Sequence, residues 1–178
     1  LFSNDKNGVQ RAKFSKGSGV IAVADSNFFY RDKSGKLNSR LSTTSIDISE
    51  ASEKELTLTY DSSWRRSPQE GKVVISFDDG EEKILKNIPS GNKYGINITE
   101  TLRFKVPSYA RSAVVSWDYQ GENNWWWALD NIKLVDDSKK IYFDEDFNDI
   151  ELKSFSQEEA QGDKGYREYA TNNGLLGV

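Results

Sequence analysis

Trp125-Trp126-Trp127-Ala128-Leu129-Asp130-Asn131-Ile132-Lys133-Leu134-Val135 is the stretch on which the fold turns. It reads as a strand, because neither it nor its neighbours sustain a 3.6-residue apolar period. In extended form Trp125 and Trp127 point to one side, and Trp126 and Ala128 to the other. Shorter segments of the same kind lie on both sides of it. Residues 44–48 and 55–60 alternate with period two, and residues 19–24 open with a compact apolar run. Residues 72–77 lead through Asp78-Asp79-Gly80 into residues 82–88, the pattern of a hairpin. Residues 101–106 stop at Pro107, which lacks the donor a ladder needs. Residues 113–119 join the Trp-rich strand through Gly121-Glu122-Asn123-Asn124. About eight short strands with turn chemistry between them predict an all-β chain, an antiparallel β-sandwich or jelly roll.

Composition narrows the chemistry. The chain has 178 residues, enough for one domain with a real core, and its aromatic content of 12% is that of a folded protein. With 24 Lys+Arg against 28 Asp+Glu the net charge is −4, which argues against a dedicated nucleic-acid binder. There is no His and no Cys. Serine–histidine and cysteine–histidine catalysis, thiolate or imidazole zinc sites and disulfides are therefore excluded. Any metal would be held by oxygen, which favours Ca²⁺ or Mg²⁺. Met is absent too, even at position 1, so we expect a processed chain or an excerpt of a longer one. A surface without Cys or Met resists oxidation and fits an extracellular or cell-surface location. No apolar run approaches the ~20 residues of a membrane span.

Charge divides the chain. Residues 136–168 hold 11 of the acids and 5 basic residues, a local balance of −6 that leaves the remainder near +2. We read residues 1–135 as a β-sandwich body and residues 136–178 as an acidic arm carrying one strand. Ile141, Phe143, Phe147 and Ile150 would be that strand's apolar residues.

Four groups of residues are candidates for function. Trp125 and Trp127, or Trp64, would make a stacking platform for sugar rings; the alternative for the triple-Trp stretch is that Trp126 or the outer pair plugs the sandwich core. Trp64-Arg65-Arg66 would present an aromatic with two cations to an anionic glycan, the alternative being an ordinary surface stack of Arg on Trp. Asp130 sits within an otherwise apolar strand, where a carboxylate is costly unless paired or metal-bound. With Asp25, Asp144, Glu145 and Asp146 it offers hard oxygens from several strands, the chemistry of a Ca²⁺ site. Asp118 and Glu122 are the pair to consider for glycoside hydrolysis, but nothing around them stands out, and we expect no enzyme. Asn97-Ile98-Thr99 fits a glycosylation sequon.

Gly17-Ser18-Gly19-Val20-Ile21-Ala22-Val23-Ala24-Asp25, Tyr60-Asp61-Ser62-Ser63-Trp64-Arg65, Val74-Ile75-Ser76-Phe77-Asp78-Asp79-Gly80 and Trp125 to Ile132 follow one another in an order with a known counterpart. It resembles a jelly-roll accessory module of secreted bacterial proteins, some attached to calcineurin-like phosphoesterases. The resemblance covers roughly residues 10–135 and implies a non-catalytic β-domain with bound calcium; it supplies no ligand. Such modules open with an acidic strand that is missing here at the N-terminus, whereas Glu145-Asp146-Phe147-Asn148-Asp149 follows the last body strand. The arm then either folds back to complete its own sheet, or completes the sheet of the next copy, or belongs to a tandem array cut out of phase. Donation to a neighbour is head-to-tail and builds a filament. The expectation is therefore a calcium-stabilised extracellular structural protein that polymerises with copies of itself. The alternative is a carbohydrate-binding module whose partner is a polysaccharide.

Overall fold

Alternating apolar residues draw the strands into two antiparallel sheets packed face to face, in a computed structural model that describes residues 14–26, 36–51, 53–64, 69–90, 95–122, 126–148, 169–170 and 175–177. The first sheet runs in the order β1 (Ala22–Asp25), β9 (Trp126–Asp136), β4 (Glu55–Trp64), β7 (Gly95–Lys105), with β10 (Ile141–Glu145) also paired to β9. The second runs β11 (Tyr169–Ala170), β12 (Leu175–Gly177), β2 (Lys36–Thr43), β8 (Ser112–Glu122), β5 (Gln69–Phe77), β6 (Lys83–Ile88), with β3 (Ile46–Asp47) beside β8. The chain crosses from β4 to the β5–β6 hairpin, back to β7, over to β8 and back to β9. Among the described residues there is no α-helix. The protein is an antiparallel β-sandwich.

One parity problem shapes the central strand. Trp127 and Leu129 face the core, and so do Ile132 and Leu134, although an unbroken strand would send the second pair outward. The β4–β9 register shows the solution: Thr59 pairs with Lys133 and Asp61 with Asp130, so β9 carries an extra residue between them. Asn131 takes that place at φ 51°, a left-handed value that Asn tolerates better than most residues. The Asp-Asn pair inside an apolar strand is thus a β-bulge, and it keeps both halves of β9 in one core.

Large rings fill the space between the sheets. Trp64 lies edge-on to Trp127, with ring centroids 5.3 Å apart, and Tyr60 lies edge-on to Trp117 at 5.7 Å, geometries that aromatic quadrupoles favour. Gly71 on β5 makes room for them: a Cβ there would stand 2.9 Å from Trp64 and 3.2 Å from Trp127.

The arm begins as a hairpin in cis. β10 pairs with the second half of β9, from Ile141 opposite Val135 to Glu145 opposite Ile132, on the edge whose first half is taken by β1. Asp136, 2% exposed, locks the turn. It accepts hydrogen bonds from Ser138 Oγ (2.6 Å) and the Lys140 amide (3.0 Å), and Lys54 Nζ stands 3.3 Å away. Phe143 and Phe147 enter the core at 7% and 0% exposure, whereas Ile141 is 52% exposed. Phe147 adopts φ 59°, costly for a bulky residue; its amide donates to the buried Glu145 carboxylate at 2.6 Å. Ile150 lies outside the described residues. Leu175–Gly177 pair with Leu41–Thr43 of β2, so the chain's last described residues also rejoin their own sheet.

Two expectations shift. Residues 44–48 contribute only the two-residue β3, and the long strand β2 precedes them. β2 has just Leu37 and Leu41 as apolar residues, because its other face is polar and exposed, so its alternation is faint. β7 starts at Gly95, six residues before the apolar segment at 101–106.

If the arm is docked as described, Phe147→Ala should cost about 3–5 kcal/mol in urea denaturation, the range for emptying a buried Phe site. A loss under 1 kcal/mol would mean that the ring is not part of this core.

Candidate functional site

Alternation with Trp126 and Ala128 puts the Asp130 side chain on the outer face of the first sheet, where it is nonetheless 0% exposed. The cover is the segment from Phe14 to Val20. Phe14, 4% exposed, packs on Trp126 and Ala128 and forms a small second core with Ile21 and Val23. Polar bonds fasten the rest. The Ser18 amide donates to Asp130 Oδ2 at 2.8 Å, the Val20 amide to Asn148 Oδ1 at 3.0 Å, and the Ser15 amide to Asn97 Oδ1 at 2.6 Å. Lys16 Nζ donates to Thr99 Oγ1 at 2.7 Å and stands 3.6 Å from Asp61. Gly19 is required here: its φ is +61°, and a Cβ would lie 2.1 Å from Asn148 Oδ1.

Electrostatics mark Asp130 as the strained member. Burial pushes its carboxyl up, bonds from the Ser18 and Asn131 amides pull it down, and the negative charges of Asp146 and Asp61 push it up again, to about 6. Asp61 accepts from Thr99 Oγ1 and from Asn131 Nδ2 (2.9 Å). The Asn148 amide donates to Asp146 at 3.0 Å, and this bond holds Asp146 below its ordinary value.

The oxygens expected to share one Ca²⁺ are dispersed. Asp144 points outward and pairs with Lys133 at 2.9 Å, Glu145 turns inward to the Phe147 amide, and Asp25 sits on β1 opposite Trp126. Burial alternates through residues 143–147, with Asp144 and Asp146 exposed and Phe143, Glu145 and Phe147 buried, although the strand itself ends at Glu145. Only Asp146 comes near enough to Asp130 to influence it, joined by Asp61, which sequence reading did not select. Among the described residues no three acidic side chains are grouped as a metal would need them. As arranged, the cluster is a clasp in which carboxylates receive backbone N–H groups.

The expected aromatic platform is also placed elsewhere. Trp64 and Trp127 are 3% and 2% exposed and pack against each other in the core, so neither offers a face to a sugar. This corrects their assignment to ligand binding: alternation turns Trp127 toward the opposite sheet, as it does the last residue of β4. Trp125 and Arg65 lie outside the described residues. Asp118 and Glu122 are four residues apart on one strand, about 13 Å along its axis and beyond the reach of a hydrolytic pair. The sequon residues Asn97 and Thr99 hold the Phe14–Val20 cover through their side chains. No family model matches this chain, and no curated protein is significantly similar to it.

A pH test isolates Asp130. Its folded pKa lies above its unfolded one, so its contribution to stability is full below about pH 4 and is lost as pH rises through about 6. In chelator, wild type should therefore lose stability relative to Asp130→Asn across that interval, as read by urea midpoints. A difference that does not change with pH would contradict the strained carboxylate.

Proposed function

We propose that the chain is a non-catalytic, extracellular β-sandwich accessory module that completes its own sheet and serves as a monomer, with a polysaccharide as its partner. The observation that carries this reading is the β9–β10 hairpin. The strand that an assembling protein would give to a neighbour is engaged at home, with Phe143 and Phe147 in the core. Donating it would require opening a turn locked by Asp136 and exposing both rings until a second copy supplied replacements. A head-to-tail polymer would have to recover those losses at every joint.

The likeness of Gly17–Asp25 and Trp125–Ile132 to the accessory modules of secreted bacterial proteins supports the extracellular setting. The absence of His and Cys supports a binding rather than a catalytic role, since the commonest nucleophile–base pairs are missing. Calcium enters as a stabiliser of the clasp. Asp130, Asp61 and Asp146 are not grouped as the ligands of one ion, but a divalent cation beside them would screen the repulsion that strains Asp130, and oxygen is the donor chemistry Ca²⁺ takes.

Light scattering on the purified chain, with Ca²⁺ and then with a chelator, tests the reading. It should give the 20.2 kDa monomer in both conditions, with a higher melting temperature in Ca²⁺. Assemblies that grow with Ca²⁺ and shrink on chelation would overturn it in favour of the calcium-dependent polymer.

A further inference from the structure

The outer face of the second sheet carries a cleft of about 410 Å³, lined by side chains of β2, β8, β5 and β6. Register sorts these into two cross-strand rows. Asn38, Gln120 and Glu70 form the first, and Arg40, Asp118, Lys72 and Asn87 the second. With strands ~4.8 Å apart and ~7 Å between alternate residues, the rows span roughly 10 and 14 Å.

The charges of the second row are satisfied internally. Arg40 Nη2 donates to Asp118 at 2.8 Å, Arg40 Nη1 to Glu82 at 2.6 Å, and Lys72 Nζ lies 3.2 Å from Asp118. Two cations thus face two carboxylates. Burial alone would raise Asp118, but the bonds from Arg40 and Lys72 outweigh it and hold the group ionised. A charged ligand would have to break this network to be recognised. Asn38, Glu70, Asn87 and Gln120, by contrast, are exposed and have no side-chain partner among the described residues. Amides offer donors and an acceptor each, and a carboxylate accepts from two hydroxyls, which is the complement of adjacent hydroxyls on an uncharged ring. Apart from Gly71, every residue lining the cleft carries a polar or charged group, and the aliphatic stems of these side chains make up the rest of its wall.

We propose that this cleft binds a neutral saccharide, with Asn38, Gln120, Glu70 and Asn87 as its hydrogen-bonding groups and the Arg40–Asp118–Lys72 network as a rigid floor. The proposal rests on the accessory-module reading and assigns its ligand site. Affinity electrophoresis through gels containing dextran, xylan or mannan, with dextran sulfate as the charged control, tests it on the full chain. At least one neutral polymer should retard the protein. Asn38→Ala with Gln120→Ala, both exposed and outside the core, should weaken that retardation about tenfold or more, as losing two net hydrogen-bonding groups would. Retardation unchanged in the double variant would overturn this site while leaving a carbohydrate-binding module with its site elsewhere. Retardation by dextran sulfate alone, abolished by salt, would overturn the neutral ligand. Retardation by none of the neutral polymers would overturn both the site and the carbohydrate reading.

Discussion

A single extra residue in β9 holds the structure in register. Without the bulge at Asp130-Asn131, either Trp127 and Leu129 or Ile132 and Leu134 would leave the core, and half of what β9 gives to the core would be lost. The bulge follows directly on Asp130, which lies on the outer face with Trp126 and Ala128 and fastens the Phe14–Val20 segment there. The bulge also divides the free edge of β9, with β1 paired before it and β10 after it. Core, clasp and arm thus depend on one backbone irregularity.

The clasp and the arm are coupled through the same place. Asn148, just beyond β10, accepts the Val20 amide, and Asp146 contributes to the field that strains Asp130. Docking of the arm therefore tightens the N-terminal cover while adding negative charge beside a buried carboxylate. Such an arrangement gains from a proton or a divalent cation, which is the physical sense in which calcium would act on this protein.

Much of the fold was legible in the chain, for specific reasons. Residues 55–60, 72–77 and 113–119 alternate or run apolar because they face a dry interior, and Pro107 and Asp78-Asp79-Gly80 end strands by ordinary backbone chemistry. β2 was not legible, because its exposed face supplies the cleft and its inward face offers only two leucines. The candidate sites were less legible than the strands. Three consecutive tryptophans do not say which sheet face is covered, and here both faces at Trp126 and Trp127 are buried. Asp130 stood out as a carboxylate in an apolar strand, but its neighbours Ser18 and Asp61 are distant in sequence and brought together by the fold alone. The cleft residues are ordinary surface amides and charges, distinguishable only once the register aligns them.

The monomeric module depends on β10 pairing with the β9 of its own chain. Lys133 and Asp144 are direct cross-strand partners, outward-facing, in a protein without cysteine. Antiparallel partners lie about 4.5–5.5 Å apart at Cα, within the span of a disulfide. Lys133→Cys combined with Asp144→Cys, oxidised and run on a non-reducing gel, should give a monomer band of altered mobility that reverts on reduction. A ladder of disulfide-linked oligomers would show instead that β10 pairs with the β9 of a neighbour.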